Sequence, residues 1–160
     1  MPHTITPKTL YKELAHECEL AMQLVDVLLE EQSSLIRMQT QQLSDLALKK
    51  EGLMFELEKR FQSNSKLAVQ AGYSNDLAGL NAWISGMADG IPELAGTFQT
   101  LKSSLEQAQR LNIVNGELVN EQLAGMAERA LGEDLRLHFG KVAEQDLLDV
   151  QVPLIKAVMD

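Results

Sequence analysis

Cysteine occurs once, at Cys18, which excludes an internal disulfide and any cysteine-clustered zinc site. Proline occurs four times, at positions 2, 7, 92 and 153, and glycine is absent before Gly52, so nothing breaks a helix between Lys8 and Glu51. Aromatic residues supply only 4% of the 160 positions. Cations are scarce: 14 Lys and Arg stand against 23 Asp and Glu, a net charge of −9. A chain so acidic is a poor ligand for a phosphate backbone, since nucleic-acid affinity rests on cationic contacts and counterion release. Apolar runs stay short, far from the roughly 20 residues a membrane-spanning helix needs. The opening MPHTITPKTLYKEL has no apolar h-region, so we expect no secretory signal and a soluble, cytoplasmic protein.

What is present is helical periodicity. The length suits one compact domain with a usable core. Leu10, Leu14, Cys18, Ala21, Val25, Leu28 and Leu35 recur in steps of three and four, with Gln32 filling the remaining slot. This places them on one stripe of a helix, where an alternating strand would need steps of two. Thr6 followed by Pro7 reads as a capped start. The stripe resumes at Leu43, Leu46, Lys50, Leu53 or Met54, Leu57 and Phe61, with Thr40 or Ser44 as the cap. A turn near Met38–Gln41 folds the second helix back on the first and buries both stripes, which a single rod of about 60 residues would leave exposed.

The stretch FQSNSKLAVQAGYSND is polar and ends in a Gly72 C-cap, with Ser74 or Asn75 opening a short third helix through Leu77, Leu80, Trp83 or Ile84, and Met87. Asp89-Gly90-Ile91-Pro92-Glu93 closes it and opens the next. From there Leu94, Phe98, Leu101, Leu105, Ala108, Asn112, Asn115, Val119, Gln122 and Met126 keep a heptad phase to about Leu131. The phase runs straight through Asn115-Gly116, so we expect one long helix there. The expected fold is all-α: an elongated antiparallel helical bundle of three long helices and one short one over residues 1–131. A weakly patterned C-terminal tail follows over 132–160. That tail is too apolar for an inert linker; it either packs on its own bundle or waits for another surface.

Enzyme-like constellations are thin. Glu13-Leu-Ala-His16 matches half of a di-iron helix motif, but no second copy exists. A phosphotransfer role for His16 is disfavoured by Glu17 and Glu19 beside it. No Gly-rich phosphate loop, nucleophile elbow or Cys/His dyad is present. We therefore expect no enzyme, no cofactor and no metal.

The polar residues at seam positions are more informative. Asn112, Asn115 and Gln122, with Gln32 and Lys50, interrupt an otherwise dry core. Buried amides of this kind can set register and orientation; alternatively they keep one end loosely packed for a partner helix. Around them Leu111, Val114, Leu118, Val119, Leu123, Met126 and Leu131 cover more than one helix face, and Leu135, Phe139, Leu147 and Leu148 follow in the tail. One buried stripe does not require so many, which marks these as candidate partner-binding residues for an amphipathic helix.

The sequence resembles the FlgN family of flagellar export chaperones. The likeness rests on Leu14, Leu24, Leu28 and Leu29 with Glu31 and Leu35, and on Leu43, Leu46, Lys49 or Lys50, Glu51, Leu53, Leu57 and Arg60. It continues in Ala71-Gly72-Tyr73-Ser74 and, most specifically, in Leu105 and the patch Leu111-Asn112-Ile113-Val114-Asn115-Gly116-Glu117-Leu118. The resemblance implies a cytoplasmic chaperone that binds C-terminal helical segments of hook–filament junction proteins of the FlgK and FlgL type. Such a chaperone prevents premature assembly and delivers its clients to the type III export gate. Competing readings are a secretion chaperone with another client and a structural coiled-coil subunit that oligomerises.

Overall fold

The computed structural model describes residues 5–130. Helix α1 spans Pro7–Ile36. Thr6 is extended and its hydroxyl accepts from the Thr9 N–H at 3.2 Å, with Pro7 at the first helical position. A cap of this kind contributes about 1 kcal/mol. The helix closes through Met38, whose φ of 58° lets the Gln39 N–H reach the Ser34 carbonyl at 2.9 Å. A 3-10 turn, Thr40–Gln42, leads into α2, Leu43–Gln70. The expected cap at Thr40 or Ser44 is not made: Gln42 holds the N-cap position without a side-chain bond.

Helix α2 continues through the first part of the polar stretch, as far as Gln70. Asn64 and Ala68 continue its buried stripe after Leu46, Met54 and Leu57. Asn64 belongs there because its amide is satisfied by Glu17 across the interface, so a polar side chain serves as core. Gly72, at φ 96°, ends the helix as expected, with the Tyr73 N–H bonding back to the Ala68 carbonyl at 3.0 Å.

Helix α3, Leu77–Met87, is capped by Asp76, one residue after the later of the two expected starts, Ser74 and Asn75. Its carboxylate accepts from the Ser74 hydroxyl and the Gly79 N–H, both at 2.7 Å, and these bonds hold its carboxyl below the usual range. A Cβ on Gly79 would overlap the Ser74 carbonyl, so this buried position needs glycine. Helix α4 spans Glu93–Ala130 without a break at Asn115-Gly116. The interior glycine costs about 1 kcal/mol, which packing along α1 outweighs.

Cross-helix partners fix directions. Lys50 meets Glu31 and Asn64 meets Glu17, so α2 is antiparallel to α1. Cys18 donates to the Thr97 carbonyl, Asn115 to that of Leu28 and Gln122 to that of Leu35, so α4 runs parallel to α1. The bundle is up-down-up, with α3 making the return between α2 and α4. Helix α1 is its centre, packed along α2 and along α4. The core collects Leu10, Leu14, Leu24, Leu28, Leu57, Ile84, Leu94 and Leu105 with Trp83 and Phe98. Among the described residues no helix is long and apolar enough to cross a membrane.

Candidate functional site

The seam amides predicted on the fourth helix are brought together with two charged residues. Asn112 and Asn115 are 2% and 1% exposed. Asn115 sits one turn after Asn112 and donates through Nδ2 to the Leu28 carbonyl at 2.9 Å and to Glu31 Oε1 at 3.0 Å. Lys50 Nζ lies 3.0 Å from Glu31 Oε2 and 3.3 Å from Asn112 Oδ1. Three helices are thus tied at one level by a lysine, a glutamate and two asparagines. Buried charge of this kind is tolerated only because each ion has a partner, and mis-registered helices would leave both unpaired. The Oδ1 of Asn115 has no partner, so the seam is not fully satisfied. Gln122 carries the same logic higher up, donating to the Leu35 carbonyl at the last turn of α1. Gln32 is half-buried.

A second polar pair lies towards the opposite end. Glu17, placed by sequence reading among the charges beside His16, is only 3% exposed. It accepts from Asn64 Nδ2 at 3.1 and 3.2 Å. Burial pushes its carboxyl up to about 7; the Asn64 bond and the Arg60 charge oppose this, and Glu13 adds to it. Beside the pair is a cavity of about 20 Å³, walled by Leu14, Leu57, Phe61, Phe98 and Leu101. His16 is exposed and 3.6 Å from Glu19, so the Glu13–His16 element does not turn into the bundle as a di-iron site requires.

The predicted apolar residues divide. Leu111 packs partly against the core, and Leu118, Val119 and Leu123 are half-buried. Val114 and Met126 are exposed, as is Ile113, so the heptad seam that included Met126 ends before it. Leu131, Leu135, Phe139, Leu147 and Leu148 lie outside the described residues. Sequence reading missed a further set on α1. Met22, Leu29 and Ile36 are 58%, 44% and 65% exposed and recur every seven residues, so they share one face. That spacing was readable, but the adjacent buried stripe at Ala21, Leu28 and Leu35 masked it.

The comparisons bear on this arrangement. The sequence profile of the family described as FlgN protein matches residues 1–128. The chain belongs to the FlgN family. A crystal structure of a flagella synthesis protein FlgN from Pseudomonas aeruginosa is similar, at TM-score 0.64 and 26% identity, covering 94% of this chain and 99% of that one. No curated protein matches in sequence. FlgN membership makes this a flagellar export chaperone of the helical-bundle type, a chaperone-type family and not one known for catalysis.

Proposed function

We propose that this FlgN-family protein works in the cytoplasm, where it carries C-terminal helical segments of FlgK- and FlgL-type hook-associated proteins. It keeps them unassembled until they reach the type III export gate. The observation that supports the reading is the C-terminal half of α4, where Val114 and Met126 are exposed and Leu111, Leu118, Val119 and Leu123 are only partly covered. Burying such side chains against a client helix supplies affinity at about 25 cal/mol per Å² of apolar surface, with no nucleotide needed. Leu131, Leu135, Phe139, Leu147 and Leu148, in the 132–160 segment and just before it, extend the same apolar character in sequence. We assign that segment to client binding, at an ordering cost of about 2–5 kcal/mol.

The test is capture of a purified FlgK- or FlgL-type C-terminal segment by the full chain and by a chain lacking 132–160. The deletion should abolish capture while circular dichroism retains the helical bundle. Undiminished capture by the shortened chain rejects the placement, and failure of the full chain to capture either segment rejects the client.

A further inference from the structure

The seam between α1 and α4 has two edges, and the charges of the network tell them apart. Asn115 faces α1, while Asn112, three residues earlier, faces Lys50 of α2. At 100° per residue, Leu111 and Leu118 fall on the other side of Asn115 from Asn112, and so away from α2. On α1, Glu31 faces Lys50 and Cys18 faces Thr97 of α4. Met22 lies one turn beyond Cys18, and Leu29 and Ile36 continue its line, on the side opposite Glu31. With α1 and α4 parallel and Leu28 level with Asn115, the two rows run side by side. Met22, Leu29 and Ile36 form one wall of an outward-facing groove, and Leu111, Val114 and Leu118 the other. The α1 wall is about 21 Å long from Met22 to Ile36, and the α4 wall faces about 10 Å of it, two turns of a seated helix.

Its rim is acidic. Asp26 and Glu30 border the α1 row; Glu117 and Glu121 border the α4 row; all four are exposed and none has an ion-pair partner among the described residues. Within 22–37 and 107–124 the cations are Arg37 and Arg110. A second copy of this chain brings the same rim, within a net charge of −9. The chain's own last 30 residues, 131–160, hold six carboxylates against three cations and match it no better.

We propose that this groove seats an amphipathic helix of a partner protein whose apolar stripe is flanked by Lys or Arg. The inference rests on the carrier reading above and deepens it: α1 supplies half the client site, and the client helix is basic at its edges.

Two synthetic helical peptides of about 18 residues, with the same leucine stripe and either Lys or Glu flanks, test this by fluorescence anisotropy against the full chain. The Lys peptide should bind at least about ten-fold more tightly than the Glu peptide. Leu29→Gln with Ile36→Gln should weaken it by a further factor of about ten. Leu48→Gln with Phe55→Gln, on the exposed face of α2, should leave it within about two-fold. Asp26→Lys with Glu30→Lys should reverse the preference between peptides.

Equal losses from the α1 and α2 variants, no loss from the α1 variant, or binding of neither peptide overturns the proposal. So does a full-chain dimer that the Leu29→Gln, Ile36→Gln variant dissolves. Capture of the FlgK- or FlgL-type segment by the wild-type chain is scored separately. If that segment binds wild type and the α1 variant alike, the groove is wrong and the carrier reading stands; if wild type captures nothing, the carrier reading itself fails.

Discussion

Replacing Glu17 by glutamine removes a titrating group while keeping its size and an oxygen for Asn64 to bond. The carboxyl is 3% exposed, and burial raises it from 4.5 to about 7. The folded state therefore holds this proton more tightly than the unfolded chain does. The stabilisation is complete below about pH 4.5 and is lost as pH rises through about 7. At about 1.4 kcal/mol per pH unit, that interval corresponds to roughly 3 kcal/mol. Urea unfolding followed by circular dichroism at pH 5, 6, 7 and 8 measures it, and the difference between wild type and Glu17→Gln cancels other titrations. The variant should be close to wild type at pH 5 and gain on it by about 2–3 kcal/mol at pH 8. A difference that stays constant across this range would falsify the argument, because the buried carboxyl would then not be titrating where its surroundings place it.

Three further substitutions probe other parts of the fold. Lys50→Met strands Glu31 in the seam and should cost about 3–5 kcal/mol in denaturant unfolding, most of it regained in the Glu31→Leu, Lys50→Met double variant. Gly79→Ala forces a Cβ against the Ser74 carbonyl and should lower stability by about 2 kcal/mol, visible as a drop in Tm. Met38→Gly relieves a left-handed methionine in the α1–α2 turn and should raise stability by about 1 kcal/mol; an unchanged or lower Tm would show that the turn carries no strain.

The stripes of α1 and α4 were readable because leucines at steps of three and four leave few alternatives. Thr6-Pro7 and Gly72 were readable because their roles are local. Asn64 and Glu17 were not. Each looks like a surface residue until its partner is known, and the partner is 47 positions away. The Asn112–Asn115 pair was visible as an anomaly in the heptad, but only the packing of α4 against both α1 and α2 shows that both point inward. The α4 residues Val114 and Met126 are exposed; what lines up opposite Val114 on α1 depends on helix direction, which periodicity does not carry.

The central place of α1 also sets an order of assembly. Its bonds to α2 join residues 19 and 47 positions apart, whereas those to α4 join residues 79 to 87 apart. Closing the longer loops costs about 1 kcal/mol more in chain entropy than closing the shortest, and α4 is also made last. We therefore expect a growing chain to fold its α1–α2 hairpin first and to leave one flank of α1 bare until synthesis has delivered Asn115. During that interval the newborn carrier is itself an unfinished, adhesive helix pair, subject to the same hazard from which it shields others.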